Sequence, residues 1–376
     1  MEFNTIIIGG GASALFLASK LNSQNVAILE KNSTVGKKIL ASGGGKCNIT
    51  NEFINANNYL GNFDFISRIL DNLSYIEVLD FFKELSFIKI KNNQFFCKNG
   101  SKEVLSFLVK KANKHKIFLN TEVLDVDKID DVFLVKTKDK LFKCKNLVVA
   151  SGGLSYSKLG VSDIGYKIAL KFGHKVSKLN PALVGFTVQK DEFWFKGLSG
   201  VCFRAKVQVK DREFFDDILF THKGISGPSI LNASLFWEKG KIYINFLPNF
   251  KISNFKSSKK QISTLFPLPK RFIKSFLISK NLEDKQMYKL NEDEFEKLQK
   301  LQNYEFAPAG NFGFDRAEIT KGGVEVCGID ENCQSKLTKN LFFIGEVLDV
   351  SGMLGGYNIH FAFASAKRVA KHLSVR

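Results

Sequence analysis

No hydrophobic run in this 376-residue chain suggests a membrane span. The apolar stretch Ile6-Ile7-Ile8 is far too short, since a spanning helix needs about 20 residues. That stretch also lacks the basic flank and small-residue cleavage pattern of a signal peptide, so a cytoplasmic protein is expected. Cysteines are few and scattered: the six, at positions 47, 97, 144, 202, 327 and 333, include no Cys-x-x-Cys pair and no His/Cys cluster with zinc spacing. They read as reduced thiols that mostly pack, with Cys47 the exception to watch, and no metal site is expected. Acid is also in deficit, with 37 Asp and Glu against 55 Lys and Arg, giving a net charge of +18. Such a charge suits an anionic partner. Yet Lys is spread along the whole chain, and no basic stretch carries the aromatic interleaving of an RNA-recognition element. A nucleic-acid partner is therefore not expected.

What is present begins at once. Thr5-Ile6-Ile7-Ile8 is a β-branched run, Gly9-Gly10-Gly11 breaks it, and Ala14, Leu17, Ala18 and Leu21 recur at helical spacing. Asn25 to Leu29 is a second apolar strand, closed by Glu30. This order matches what a dinucleotide pyrophosphate needs when it rests on a helix N-terminus. Gly9 permits the turn, Gly11 lets backbone approach the phosphates, Ala12 and Ser13 open the helix, and Ala14 lets it pack closely on the strand. Glu30 stands where a carboxylate accepts hydrogen bonds from a ribose diol, with Lys31 beside it.

A second distinctive run follows, Gly36-Lys37-Lys38-Ile39-Leu40-Ala41-Ser42-Gly43-Gly44-Gly45-Lys46-Cys47-Asn48-Ile49-Thr50-Asn51. Its glycines and donors suit wrapping an anion or a planar ring. Together with the first motif, this run resembles the bacterial HI0933-like flavoproteins, also called the BaiN or YhiN family, which are similar to the wider two-dinucleotide-fold FAD oxidoreductases. The resemblance extends to Gly152-Gly153-Leu154-Ser155-Tyr156-Ser157-Lys158-Leu159-Gly160, to Thr221-His222-Lys223-Gly224-Ile225-Ser226-Gly227-Pro228, and to the block from Gly345-Glu346 to Asn358. Val161, Asp163 and Ile164 depart from the family's glycine-rich turn before Gly165-Tyr166.

Between the motifs, Phe65, Ile66, Ile69, Leu70 and Leu73 form one amphipathic face and Val104, Leu105, Leu108 and Val109 another. Thr121 to Val126 and Val132 to Val135 read as a strand pair, and Leu147 to Ala150 as a buried strand ending in a small-residue turn. From Leu183 the period becomes two, as in Val201, Phe203, Ala205, Val207 and Val209. Helical spacing returns at Phe272, Ile273, Phe276 and Leu277 and at Phe295, Leu298 and Leu301. Ile359, Ala362, Phe363, Ala366 and Val369 then keep one face of a final helix apolar.

The expected fold is α/β. A discontinuous, Rossmann-like, two-dinucleotide-binding-type FAD domain (1–182 and 310–376) carries a mostly-β insert (183–250) and a small helical subdomain (251–309). The resemblance implies FAD held by Gly9, Gly11, Ala12, Ser13, Ala14, Glu30, Lys31, Lys38, Ser42, Gly43, Gly44, Lys46, Cys47, Asn48 and Val123, and by Ala150, Ser151, Gly152, Gly345, Glu346, Gly355, Gly356, Tyr357, Asn358 and Ile359. His222 and Tyr357 are the candidate catalytic side chains. Ser226 or Gly227 is expected to cap a helix that begins at Pro228, just after His222. The implied activity is reduction of a small, enone-like substrate by hydride transfer through flavin N5. NAD(P)H is the expected transient donor, although no second glycine fingerprint marks a site for it. An FAD-dependent RNA-modifying enzyme and a non-catalytic flavin-binding redox sensor are the competing readings. A monomer or weak homodimer is expected.

Overall fold

The structure is a computed structural model and describes residues 1–22 and 25–374. It divides into two compact units, Met1–Pro181 with Glu318–Arg376, and Ala182–Ala317.

The first unit opens with β1 (Glu2–Ile8), α1 (Ala12–Lys20) and β2 (Val26–Leu29). It continues through α2 (Lys37–Ala41), β3 (Asn48–Asn51), α3 (Phe63–Leu70), α4 (Tyr75–Phe81), β4 (Gln94–Cys97) and α5 (Ser101–Ala112). Then come β5 (Lys116–Phe118), β6 (Val123–Ile129), β7 (Val132–Thr137) and β8 (Leu141–Val149). The main sheet runs β5–β2–β1–β8–β7–β6. Its centre is parallel, with Ile6 opposite Leu147 and Ile7 opposite Ile28. β2 is buried throughout, as both-face coverage by helices requires.

The second unit carries β9 (Phe186–Thr187), β10 (Cys202–Val209), β11 (Arg212–Thr221), β12 (Gly224–Ser226), α6 (Pro228–Phe236), β13 (Ile242–Asn245), α7 (Lys270–Ser279), α8 (Glu292–Gln299), β14 (Tyr304–Phe306) and β15 (Gly310–Asn311). Its antiparallel sheet runs β14–β13–β10–β11–β12–β9–β15. Phenylalanine fills its core: Phe272 of α7 lies 4.8 Å from both Phe203 and Phe246, ring centre to ring centre. Such pairs add about 0.5–1.5 kcal/mol each beyond area burial.

Two boundaries differ from the sequence expectation. Residues 251–309 share a core with the β-rich insert, because β14 pairs with β13 and α7 packs into the same aromatic cluster. Residues 310–317 also belong to the insert, because β15 pairs with β9.

The chain re-enters the first unit at β16 (Ile319–Lys321). β17 (Leu341–Phe343) then joins the main sheet beside β8, and α9 (Tyr357–Ser374) closes the unit. Leu147 faces Leu341, so the C-terminal half of β8 lies between β1 and β17. Phe16 of α1 stacks on Phe363 of α9 at 4.7 Å, tying the two glycine-led helices together.

Candidate functional site

The ends of β1, β8 and β17 meet around glycines. Gly9 has φ +98°, and a Cβ there would stand 2.6 Å from the Ala150 carbonyl oxygen. Only glycine fits that contact. Gly11 has φ −83°, and a Cβ there would meet nothing within 4 Å. It caps α1 without a side-chain bond, and no acid occupies the first turn. The first intrahelical bond is Leu15 N to Gly11 O, so the amides of Ala12, Ser13 and Ala14 have no partner within the helix. Gly345, with φ +72°, comes so close that its Cβ would lie 2.9 Å from Ser13 Oγ.

Glu30 is nearly buried and firmly oriented. Its Oε2 accepts from Gly10 N at 2.8 Å, and its Oε1 accepts from Asn32 N and Nδ2, both at 2.8 Å. A carboxylate offers about four lone-pair sites, so one is left for a ligand hydroxyl. Lys31 pairs with Glu122 at 2.8 Å, next to the buried Val123. The open glycine face, the free helix amides and the oriented carboxylate together fit a dinucleotide.

The loop after α2 is left-handed at Gly43, Gly44 and Gly45, and again at Cys47 with φ +52°. A Cβ on Gly44 would meet nothing within 4 Å, and Lys46 is exposed. Ser42 Oγ donates to Ile39 O at 2.7 Å. Cys47 is fully buried, and burial pushes its thiol up to about 12. It is a packed thiol, and the loop presents backbone to a ligand.

A polar network that the sequence did not reveal lies behind Glu346. Lys38 Nζ donates to Glu346 Oε2 at 2.6 Å and to Ser155 Oγ at 2.5 Å. Glu346 Oε1 accepts from Thr320 N at 2.9 Å and from Ser155 Oγ at 3.1 Å. Thr320 Oγ1 in turn accepts from Leu154 N and Ser155 N. Gly153 makes room for all of this, since a Cβ there would lie 2.6 Å from Thr320 Oγ1 and 2.7 Å from Glu346 Oε1. Glu318, hydrogen-bonded to Tyr156, has its carboxyl raised by burial. Ala150 is buried and Ser151 partly so, while a Cβ on Gly152 would meet nothing within 4 Å.

The N-terminus of α9 follows two more positive-φ glycines. A Cβ on Gly356 would meet Asn48 Oδ1 and Thr50 O, both at 2.6 Å. Asn358 brackets Gly352, accepting from its N and donating to its O at 2.8 Å each. His360 N bonds Gly356 O, leaving the amides of Tyr357, Asn358 and Ile359 without intrahelical acceptors. Tyr357 is buried, which raises its phenol. His360 was missed by the sequence reading. Its Nε2 donates to Leu73 O at 3.0 Å and its Nδ1 accepts from Thr50 Oγ1 at 2.8 Å, the only tautomer that a carbonyl partner allows. Burial holds it down at about 4.

His222, in the second unit, lies exposed in the turn between β11 and β12. Among the described residues no hydrogen bond reaches its imidazole. It does not adjoin the α6 N-terminus, because the strand β12 intervenes, a rise of about 10 Å. Ser226 belongs to that strand, opposite Leu219, and Gly227 alone caps α6.

The model of the HI0933-like protein Rossmann domain matches residues 3–372. The chain belongs to this family. It is an FAD-dependent oxidoreductase with a Rossmann-type domain. A Haemophilus influenzae protein named ribosomal RNA dihydrouridine synthase is 33% identical, covering 98% of each chain. An Escherichia coli protein of the same name is 32% identical, over 99% of this chain and 98% of that one. A Clostridium scindens 3-dehydro-bile acid delta(4,6)-reductase is 29% identical, over 96% of each. Among solved structures, 3-ketosteroid-Δ4-(5α)-dehydrogenase of Rhodococcus jostii superposes with a TM-score of 0.54 at 12% identity, covering 98% of this chain and 96% of that one. That likeness concerns the fold. Among the described residues no helix is long and apolar enough to cross a membrane.

Proposed function

We propose that this chain reduces the C5=C6 bond of a uracil base in ribosomal RNA, with NAD(P)H as electron donor. The observation that carries this reading is that two relatives matching along nearly their full length are both named ribosomal RNA dihydrouridine synthases. The name of the Clostridium scindens relative points to the same kind of bond, a carbon–carbon double bond conjugated to a ketone. Uracil C5=C6 is likewise conjugated, to the C4 carbonyl. A hydride at C6 and a proton at C5 give dihydrouracil, and NAD(P)H and one proton are consumed.

FAD, when bound, supplies hydride chemistry at N5. In this reading the free amides of α1 hold the pyrophosphate and Glu30 takes a ribose hydroxyl. The loop Ser42–Cys47 and the segment Gly355–Ile359 would hold the isoalloxazine, and the positive end of α9 would favour negative charge on it. Lys38, Ser155 and Thr320 fix Glu346. Tyr357, kept protonated by burial, is the candidate proton donor of the first unit. The net charge of +18 suits a polyanionic substrate. Scatter of lysines along the sequence, which argued against nucleic acid, does not decide how they gather on a folded surface. A small organic enone is the second reading, favoured by the bile acid reductase relative.

The test is the anaerobic visible spectrum with NADH and then NADPH, followed by addition of unmodified ribosomal RNA or a steroid enone. Bleaching by a nicotinamide, with reoxidation and dihydrouridine formation on RNA, is expected. Reoxidation by the enone alone would move the substrate to the second reading, and absence of flavin after reconstitution would overturn both.

A further inference from the structure

A cavity of about 350 Å³ opens in the first unit where the chain leaves β3 and forms α3 and α4. Ile54, Leu70 and Leu73 make it partly apolar, and the rings of Phe63 and Tyr75 line it. Tyr75 is braced by Phe95 of β4, stacked at 5.7 Å and 18°. Phe63 is unusual in being 55% exposed at the start of α3. An exposed ring beside a hollow is a stacking surface.

The polar lining selects against phosphate. In a chain of net charge +18, no Lys or Arg lines this cavity. Glu52 is already paired with Lys89 at 2.5 Å. Asp71 lies exposed at the end of α3, and among the described residues no hydrogen bond or ion pair reaches its carboxylate. The fitting group is therefore flat, carries no negative charge at the cavity and donates N–H groups.

The cavity wall is hydrogen-bonded to α9. Leu73, in its wall, accepts from His360 of α9, and the same imidazole accepts from Thr50 of β3. A ligand seated here lies against the segment that leads from the glycine-rich loop.

We propose that this cavity takes one unstacked guanine of the RNA substrate; this rests on the RNA reading above. Guanine presents adjacent N1–H and N2–H donors that suit the Asp71 carboxylate, while its face stacks on Phe63. Uracil, with one N–H between two carbonyls, is opposed by the same carboxylate, so the cavity is distinct from the seat of the reacting base.

The experiment measures binding of short fluorescent single-stranded RNAs to the FAD-loaded protein: a uridine-rich oligomer with one central guanosine, and the same oligomer with adenosine or an abasic site there. Phe63→Ala, at an exposed position, is expected to weaken the guanosine oligomer about tenfold and to leave the abasic oligomer unchanged. Asp71→Asn is expected to remove the preference for guanosine over adenosine. Wild-type affinity and preference in both variants would overturn the assignment. Guanosine 5′-monophosphate competing as well as the oligomer would give the cavity to free nucleotides and also overturn it. Failure of the wild-type protein to bind any oligomer at low salt would instead remove the RNA reading itself.

Discussion

Gly11 separates holding the cofactor from holding the fold. Its backbone, φ −83° and ψ −167°, is extended and accepts any residue, and a Cβ there would meet no atom within 4 Å. Gly11→Val therefore costs the protein only a cap preference, about 1 kcal/mol. That is about 2–4 °C of melting temperature for a unit of this size. The new methyls would stand in the open space where the structure leaves helix amides unpaired, so the loss falls on FAD. With FAD at about 100 times Kd, binding contributes about 2.7 kcal/mol, or roughly 5–10 °C. The assay is a pair of thermal melts, with and without added FAD, and a flavin count on the purified protein. Wild type should gain those degrees and Gly11→Val should gain almost none, while the two FAD-free proteins melt within a few degrees of each other. Gly9→Ala is the contrast: at φ +98°, with a Cβ 2.6 Å from a carbonyl, it should lower the melt even without FAD. A Gly11→Val protein with full flavin content would refute the assignment of this turn.

Gly153→Ala should dislodge Thr320 and Glu346, costing about 1–3 kcal/mol by overpacking and lowering FAD affinity, read by urea unfolding and flavin titration. His360 carries a pH signature. Its folded pKa of about 4 lies below the ordinary value of about 6.5, so the unfolded chain binds the proton first. Its contribution is therefore complete above about pH 6.5 and is lost as pH falls toward 4, by about 3 kcal/mol in all. Thr50, Leu73 and Glu77 face it. The stability difference between wild type and His360→Gln should shrink across that window, and a constant difference would place the titration elsewhere. His222→Ala should keep flavin content and melting temperature, because no bond holds the ring. It should slow turnover, and unchanged turnover would make His222 a surface residue of the β11–β12 turn.

Backbone demands were the legible part of this chain. Gly9, Gly43, Gly44, Gly345, Gly355 and Gly356 all have positive φ, and each sits in a run that the sequence already set apart. The buried ends of β1 and β8, Ile6–Ile8 and Leu147–Val149, and the whole of β2 announced themselves as apolar runs, and the helices by their spacing. These signals are local, and each is complete within about a dozen residues. The partners of Glu346 are not local. Lys38 stands 308 positions away and Ser155 191, and neither carries a pattern that names its partner. The boundary at 317 was hidden for the same reason, since β15 is a two-residue strand recognisable only by what it pairs with. Gly153 shows where the two kinds of information meet. Its glycine could be read as a turn, but the space it leaves is fixed by Thr320 and Glu346, which reach it only when β16 and β17 fold back from the far end of the chain. The glycine-led turns are thus specified locally, while the charges that brace them meet only with tertiary closure.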